Sequence, residues 1–349
     1  MPCKVLHVSE AFGGGIVSSL YSFAESTPEI DHHLLVCERQ DQPLSKDLSA
    51  RFSSISGMRR GFVGAVIDIR RKVEEVEPDF VHLHSSFAGV YGRMAGIDPA
   101  RLVYSPHGFS FHRRSANPAL RGIYFVAEKM LSSRSAAFAG VSLKEVELAQ
   151  RMNPRTRSVF IPNTTDFDHG PIRHFENDGH AHVVSMGRLC PQKDPGFLLQ
   201  ILKRLPAGVR DKFTFTWVGG GDEQMTAALK AVGVHVTGWV NHAEAHAYLV
   251  ECDLYLHVAA WEGFPMTVIE AAALGRPMIV RNISAFSGFD LPADALVDSP
   301  AEAAERLGAW VDSPDARSGT YDMIGNIRDI CSKDRQRAAL SDLYRADLA

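Results

Sequence analysis

YLHVAAWEGFPMTVIEAAALGRPMIV, residues 255–280, combines a short apolar run, a loop containing Gly and Pro, and an Ala-rich segment that is followed by a second Gly and Pro. This order of apolar, Gly- and Pro-containing and Ala-rich segments predicts a buried strand, a tight loop and a short helix that ends at the second Gly and Pro. Two glutamates, Glu262 and Glu270, stand eight residues apart, one in the loop and one in the helix. Since the free amide groups at a helix start attract anions, the stretch predicts an anion-binding loop at a strand end.

Short apolar runs alternate with helical patterns along the rest of the chain, on both sides of a polar segment. The runs before that segment include KVLHV, HHLLVCE, FVHLH and LVYSPHG, and those after it include HVVSMGRL, FTFTWVGGG, HVTGWV and LYLHVA. Such alternation is typical of a parallel sheet with helices on both faces. We therefore predict an α/β fold of two doubly wound, Rossmann-like domains that face a cleft and bind ligands at the carboxyl ends of their strands.

The length of 349 residues also favours two domains, because a single core rarely grows so large. We place the N-terminal domain at residues 1–168, a polar linker at 169–182 and the C-terminal domain at 183–330. Residues 331–349 have the pattern of a closing helix that could pack back on the N-terminal domain. With 45% hydrophobic and 22% charged residues, the composition is that of a globular enzyme.

The net charge of −4 gives no indication of a nucleic-acid partner, but the charge is unevenly distributed. Residues 51–157 hold 17 Lys and Arg against 9 Asp and Glu, an excess of eight positive charges. A helix is predicted within residues 51–157, because apolar residues recur there at helical spacing: Phe62, Val66, Ile69, Val73 and Val76. Basic residues flank this apolar face: Arg59, Arg60, Arg70, Arg71 and Lys72. This helix could lie on an anionic membrane surface, or pack on its own sheet with a solvated basic face.

The five cysteines are scattered and form no CxxC pair, which favours a reducing compartment. The N-terminal sequence MPCKVLHVSEAFGGG lacks the apolar core of a signal peptide. No apolar run approaches the roughly 20 residues needed to span a bilayer. We expect a cytoplasmic protein, with peripheral attachment to the inner face of the cell membrane as an option.

A glycine loop follows the first predicted strand. Gly14 and Gly15, in FGGG, would let the backbone approach a phosphate at the start of the next helix. The loop could equally be a structural turn. A dinucleotide site is a further option because Glu38 ends the second predicted strand, although Ser18 occupies the place of the third glycine of that motif.

Two similar loops follow strands of the second half. MGRLCPQKDPGF places Arg188 and Lys193 five residues apart on a loop between a strand and a helix. A guanidinium and an ammonium group together suit a diphosphate, although two exposed cations are also a common surface feature. The glycines of VGGGDEQ, residues 219–221, could shape a nucleotide pocket or make a turn.

Several histidines have spacings that metal ligands use. His82 and His84 lie two apart on a predicted strand, and His242 and His246 lie four apart on a predicted helix. Neither pair has a third ligand at a suitable spacing, and we predict no metal site. His107, in SPHGF, stands at a strand end beside a glycine, where it could belong to the cleft or to the core.

Together these motifs resemble the large retaining glycosyltransferase family 4 (group 1), whose fold is called GT-B. The match is densest from residue 183 to 280, and its most specific part is the E-x7-E signature from Glu262 to Glu270. GRLCPQKDP, VGGGDEQ, VTGWV, SPHGF, GVSLKEVE and IPN stand beside that signature. The resemblance implies an enzyme that uses a nucleotide-sugar donor, keeps the anomeric configuration and requires neither a metal nor another cofactor.

The resemblance also implies roles for individual residues. Glu270 would bind the ribose hydroxyls of the donor and Glu262 would lie beside the transferred sugar. Arg188 and Lys193 would bind the diphosphate, and His107 would lie near the donor sugar. Backbone groups would complete the donor site, namely those of Gly14, Gly15, Gly263, Phe264, Pro265, Met266 and Thr267. The end of the VTGWV strand would line the base pocket.

The expected reaction moves a sugar from a UDP-sugar to a hydroxyl of a polysaccharide or a lipid-linked oligosaccharide. Three stretches depart from the family pattern, PNTTDF, RNISAFSGF and GGGIVSS, and they leave the acceptor and the sugar contacts open. The alternatives are a GT-B transferase with a small soluble acceptor, a dehydrogenase, and a non-catalytic nucleotide-binding scaffold of the same fold.

Overall fold

The structure is a computed structural model that describes residues 2–10, 13–37, 51–112, 117–176 and 179–345. The chain divides into two compact units. Residues 1–164 and 331–349 form the first, and residues 165–330 form the second. Glu38, the acidic residue on which the dinucleotide alternative depends, lies outside the described residues.

The first unit contains a seven-stranded parallel sheet in the order β3-β2-β1-β4-β5-β6-β7. Its strands are β1 (Lys4–Ser9), β2 (Asp31–Val36), β3 (Ser54–Gly57), β4 (Phe80–His84), β5 (Leu102–Ser105), β6 (Ala137–Gly140) and β7 (Arg157–Phe160). Its first five described helices are α1 (Gly15–Ser26), α2 (Phe62–Val76), α3 (Ser86–Arg93), α4 (Pro118–Leu131) and α5 (Leu143–Met152). This strand order reverses direction at β1, as in doubly wound folds that bind ligands at that point.

The second unit repeats the plan with a six-stranded parallel sheet in the order β10-β9-β8-β11-β12-β13. Its strands are β8 (Ala181–Met186), β9 (Phe213–Val218), β10 (His235–Val236), β11 (Leu254–His257), β12 (Met278–Arg281) and β13 (Leu296–Val297). Its helices are α6 (Pro195–Leu202), α7 (Ala207–Arg210), α8 (Glu223–Ala231), α9 (His242–Glu251), α10 (Met266–Ala273), α11 (Pro300–Asp312) and α12 (Ser318–Ile330). The predicted class, α/β with two doubly wound parallel sheets, is confirmed.

The last helix, α13 (Lys333–Leu343), belongs to the first unit. Leu340 and Tyr344 are buried in one core cluster with residues of β1 and β4. The fully buried side chain of Gln336 donates to Ser22 Oγ at 3.0 Å and to the carbonyl oxygen of Pro162 at 2.8 Å. The closing segment is therefore part of the core of the first unit.

Two local features differ from the sequence-based prediction. The segment 169–182 is packed against the second unit, because Gly170 and Arg173 donate backbone hydrogen bonds to Ala273 and Gly275 at 2.8 and 2.9 Å. Its last two residues are already part of β8. The strand predicted for HVTGWV ends after two residues, since the chain turns at Gly238, whose φ is +73°.

Helix α2 packs on the sheet of its own unit, with Val66, Ile69 and Val76 buried. Of the basic residues around it, Arg59 pairs with Asp68 at 2.9 Å and the buried Lys72 pairs with Glu75 at 2.7 Å. None of the helices in the described parts of the chain has the length and the apolar composition needed to cross a bilayer.

Candidate functional site

The loop after β8 is shaped by a glycine that makes room for a lysine. Gly187 has φ +138°, and a Cβ atom there would lie 2.9 Å from three carbons of the Lys193 side chain. The carbonyl oxygen of Gly187 accepts a hydrogen bond from the Trp217 indole at 2.8 Å. The aliphatic part of the Lys193 side chain therefore packs directly on the backbone of residue 187. Any residue other than glycine at this position would displace that side chain.

Lys193 reaches the loop that follows β11. Its Nζ lies 2.5 Å from Glu262 Oε1, and Gln192 Nε2 donates to Glu262 Oε2 at 3.1 Å. The backbone joins the same two loops, because Ala260 N donates to the carbonyl oxygen of Gln192 at 2.8 Å. The structure thus brings together Lys193 and Glu262, two residues that the sequence analysis assigned to one site.

Arg188 stands on the same loop with a different environment. Its side chain is exposed, and no hydrogen bond or ion pair links its guanidinium to another part of the described chain. An unpaired guanidinium can bind two oxygens of a phosphate group at once. Arg188 and Lys193 together provide two positive charges at the carboxyl end of β8.

The start of α10 offers backbone amides to the same region. Its N-cap is Pro265, and no side chain caps it. Phe264 fixes the preceding loop through edge contacts with the rings of Phe286 and Phe289. Thr267, in the first turn, accepts a hydrogen bond of 2.6 Å from Tyr255 OH. The first amide groups of this helix are thus held in place and open to an anion.

The second glutamate of the signature lies one turn further along α10. The Glu270 carboxylate is half-buried, and none of the described side chains donates a hydrogen bond to it. Burial raises its pKa above the usual value and Asp166 adds to the rise, whereas His242 and Lys193 lower it. A carboxylate held here without a protein donor is an acceptor for a ligand that carries hydroxyl groups.

The glycines at 219–221 are explained by backbone packing. A Cβ at Gly219 would lie 2.2 Å from the carbonyl oxygen of Gly187, and one at Gly221 would lie 2.6 Å from that of Leu189. Leu189 N also donates to the carbonyl oxygen of Gly220 at 2.8 Å. Residues 219–221 therefore pack directly against the backbone of the loop that follows β8. The Trp239 indole, 67% exposed, lies against Gly220.

Gly14 and Gly15, two candidate site residues of the first unit, lie at the start of α1. Gly14 is the N-cap of α1 with φ +56°, and a Cβ there would meet no atom within 4 Å. Backbone conformation, not space, therefore favours glycine at this position. Gly15 is the first residue of the helix, and no side chain caps it.

His107 follows β5 with φ +49° and belongs to the first unit. Its Nε2 lies 2.9 Å from His84 Nδ1, and burial lowers its pKa to about 4. The next amide, of Gly108, donates to Glu145 Oε1 at 2.5 Å, and Val141 N donates to Glu145 Oε2 at 2.9 Å. Burial raises the pKa of Glu145 to about 7. The loop that carries His107 is therefore anchored on both sides.

The histidine pairs with metal-ligand spacing have other partners in the structure. His82 Nδ1 lies 2.6 Å from Tyr344 OH, and His82 Nε2 lies 2.8 Å from Ser105 Oγ. His7, His82 and His84 place ring nitrogens within 4.8 Å of one another, but hydrogen bonds already engage these rings. His242 and His246 contact the Phe167 ring.

Sequence reasoning missed Gln192 and His257 of the second unit and His7 and His32 of the first. His257 is buried at the end of β11, and neither ring nitrogen has a hydrogen-bond partner among the described residues. Lys193 and Arg281 add to the effect of burial in lowering its pKa well below the usual value. Sequence spacing does not reveal Gln192 or His257. Glu262, which binds Gln192, and the two cations that lower the pKa of His257 are all more than 20 residues away along the chain.

Comparisons with known proteins agree with this geometry. A family model described as "Glycosyltransferase Family 4" matches residues 13–169, and one described as "Glycosyl transferases group 1" matches residues 180–312. An uncharacterized 41.2 kDa protein in the cps region of Klebsiella pneumoniae is 24% identical over 296 residues, 80% of this chain and 81% of that protein.

A second relative has a named activity. It is the UDP-Gal:alpha-D-GlcNAc-diphosphoundecaprenol alpha-1,3-galactosyltransferase of Escherichia coli, 25% identical over 63% of this chain and 62% of the enzyme. Among solved structures, Anabaena HepE in complex with UDP and glucose has a TM-score of 0.77 at 14% identity. That match covers 98% of this chain and 99% of HepE.

Proposed function

Because this chain belongs to the family 4 (group 1) glycosyltransferases, enzymes with the GT-B fold, we propose that it transfers a sugar from a UDP-sugar with retention of configuration. The acceptor is a hydroxyl of a polysaccharide or of a lipid-linked oligosaccharide. The choice of UDP is supported by HepE, which binds UDP, and by the galactosyltransferase of E. coli, which is named for UDP-Gal. The acceptor class follows the undecaprenol-linked acceptor in that enzyme's name.

The observation that carries this proposal is the pairing of Lys193 with Glu262 just before α10, with Glu270 of that helix close enough for Lys193 to lower its pKa. Arg188 is exposed on the same loop as Lys193. The diphosphate binds to the two cations and to the backbone N–H groups of Gly263, Phe264, Met266 and Thr267, where opposite charge and helix polarity both favour it. The Glu270 carboxylate accepts hydrogen bonds from the two ribose hydroxyls. Glu262 holds Lys193 in place and lies beside the sugar.

In the reaction, the bond between the sugar C1 and the diphosphate oxygen breaks, and the acceptor oxygen forms its bond to C1 from the same face. The acceptor proton passes to the departing diphosphate. Negative charge grows on that diphosphate as it leaves, and Arg188 and Lys193 stabilise it. Fixed charges of this kind usually make the largest single contribution to catalysis. Since these two cations supply the charge, we propose that no metal is required.

Thermal unfolding in the presence of UDP, GDP, ADP, CDP, NAD and nucleotide sugars, without added metal, tests the donor site. We expect UDP to raise the melting temperature, and one UDP-sugar to raise it further. A ligand at 100 times its dissociation constant adds about 2.7 kcal/mol, which is roughly 5–10 °C for a unit of this size. A shift with GDP instead would retain the transferase and overturn the choice of UDP. A shift with NAD alone would favour a dehydrogenase, and release of UDP from the stabilising donor would exclude a scaffold.

We also propose that the first unit attaches to an anionic membrane surface, mainly through α4. Ile123, Val126 and Met130 form an apolar stripe on this helix and are 63%, 55% and 74% exposed. Helix α3 contacts α4, and α2 contacts α3. Further exposed apolar residues lie on α2 and on or just after α3: Phe62, Val63, Ile67, Phe87 and Met94. The surrounding residues 51–157 carry the basic excess, so that apolar contact and charge both favour an anionic bilayer.

Vesicle flotation tests this attachment. The protein should float with vesicles that contain anionic lipid, and Ile123→Glu with Met130→Glu should reduce binding by at least about tenfold, because each buried apolar side chain contributes roughly 1.5–3 kcal/mol. Val232→Glu with Val250→Glu, two exposed apolar residues of the second unit, is the matched control and should float like the wild type. Absence of flotation, or equal flotation of both double variants, would refute attachment through α4.

A further inference from the structure

Four histidines form a continuous hydrogen-bonded chain through the core of the first unit. His107 Nε2 lies 2.9 Å from His84 Nδ1, His84 Nε2 lies 3.0 Å from His7 Nδ1, and His7 Nε2 lies 2.9 Å from His32 Nδ1. The chain starts after β5 and crosses β4 and β1 to reach β2. His7 and His84 are fully buried, so water does not interrupt it.

The far end of this chain sets the direction of its hydrogen bonds. His32 Nε2 lies 3.2 Å from the carbonyl oxygen of Thr27, which can only accept, and 3.0 Å from Thr27 Oγ1. The Thr27 hydroxyl hydrogen is committed to the carbonyl oxygen of Phe23 at 2.8 Å. His32 Nε2 must therefore carry a hydrogen, and His32 Nδ1 must be an acceptor, because a neutral imidazole has one of each.

Each ring fixes the tautomer of the next one along the chain. Since His32 Nδ1 accepts, His7 Nε2 donates to it, and His7 Nδ1 accepts from His84 Nε2. His84 Nδ1 then accepts from His107 Nε2. Burial keeps all four rings neutral: it lowers the pKa of His32 and of His107 to about 4, and those of His7 and His84 well below the usual value.

We propose that this histidine chain fixes His107 as the Nε2–H tautomer, so that its Nδ1 is a hydrogen-bond acceptor for a hydroxyl of the substrate. His84, His7 and His32 are positioning residues that act through His107. The identity of the hydroxyl, as one of a bound sugar, rests on the proposed function, whereas the tautomer rests on the hydrogen bonds alone. Without the chain an isolated neutral imidazole exchanges between two tautomers, and only one of them can accept at Nδ1.

The fifth histidine of this core provides a matched control. Ser105 Oγ donates to the carbonyl oxygen of Ala139 at 2.7 Å, so it accepts from His82 Nε2, and Tyr344 OH donates to His82 Nδ1. The His82 ring lies next to that of His84, with centroids 4.0 Å apart and planes tilted by 33°, but it is not one of the four hydrogen-bonded rings. Tyr344→Phe therefore disturbs the same core and leaves the chain from His107 to Thr27 intact.

Long-range proton–nitrogen correlation spectra of protein labelled with ¹⁵N-histidine distinguish protonated from unprotonated ring nitrogens. In the wild type we expect all four rings to be neutral, with a hydrogen on Nε2. In His32→Leu the anchor is lost, the chain can reverse, and a population of His107 with hydrogen on Nδ1 should appear. In Tyr344→Phe the wild-type pattern of the four rings should persist. The wild-type spectrum tests the assignment without requiring any variant to fold.

Kinetics provide the second readout. His32→Leu should lower kcat/KM for the donor by about two- to tenfold, the effect of one neutral hydrogen bond, and Tyr344→Phe should leave it within experimental error. A wild-type His107 with hydrogen on Nδ1, or an unchanged pattern in folded His32→Leu, would overturn the proposal. If the tautomers are as expected but no nucleotide sugar is turned over, the proposed function fails and the tautomer assignment stands.

Discussion

Glu270→Ala is expected to weaken UDP binding by about 100-fold. The Glu270 carboxylate is half-buried and accepts no hydrogen bond from a described side chain, which leaves both oxygens for the two hydroxyls of the ribose. Hydrogen bonds to a charged group contribute about 1.5–3 kcal/mol each, and 1.4 kcal/mol corresponds to a factor of ten. Part of that gain is offset because the burial that raises the pKa of Glu270 already disfavours its charged form. Titration calorimetry with UDP measures the change.

A deoxynucleotide makes this test specific for the ribose. Wild-type protein should bind 2′-deoxy-UDP more weakly than UDP, whereas Glu270→Ala should bind the two almost equally, since the group that distinguishes them is gone. Glu251→Ala changes an exposed glutamate of α9 and should behave like the wild type. Wild-type affinity in Glu270→Ala, or retained discrimination between the two nucleotides, would show that the carboxylate does not contact the ribose.

Lys193→Ala should lower kcat by about 10²–10³-fold with a much smaller loss of nucleotide affinity. The ammonium lies 2.5 Å from Glu262, and its stem is held over Gly187, so its charge is in place before the substrate arrives. Removal of one such preorganised charge costs about 10²–10³ in turnover, because the charge acts mainly on the developing negative charge of the leaving diphosphate. Single-turnover kinetics with saturating donor, together with nucleotide titrations, separates the two quantities.

Glu262→Ala and the double variant extend this test. Glu262→Ala should reduce transfer more than nucleotide binding, and the losses of the two single variants should not add, because the residues form one pair. Lys203→Ala, an exposed lysine just after α6, is the matched control. Equal losses in turnover and in affinity for Lys193→Ala would place the ammonium in ground-state binding only. Strict additivity would separate the two residues.

The elements that the sequence predicted best are those with local signals. β8 and α10 are each marked by an apolar run or an Ala-rich segment next to Gly or Pro, and their positions agree closely with the structure. The resemblance implied that Lys193 and Glu262 belong to one donor site, but it did not predict their ion pair, since 69 residues separate them. Both loops lie at carboxyl ends of adjacent parallel strands, β8 and β11, and the topology brings them together.

The histidine chain could not be predicted because it depends on strand register. His7 lies opposite His82 across β1 and β4, and His84 lies opposite Ser105 across β4 and β5, so one residue of slip would place the rings on the other face. Read locally, His82 and His84 look like a metal-ligand pair. The polar composition of segment 169–182 likewise predicts a linker, because the segment packs through backbone hydrogen bonds and the contact of Phe175 with Trp310, which composition does not reveal.

The position of α13 has a consequence for how the protein is made. The second unit is one continuous segment, and its last residue is synthesised before any residue of α13. The first unit needs Gln336, Leu340 and Tyr344 for its core, yet all three are synthesised only after the whole second unit. Domains otherwise tend to fold in the order of synthesis, N-terminal first. Here the second unit can complete its fold first, whereas the first unit completes its core only after the second unit has been synthesised.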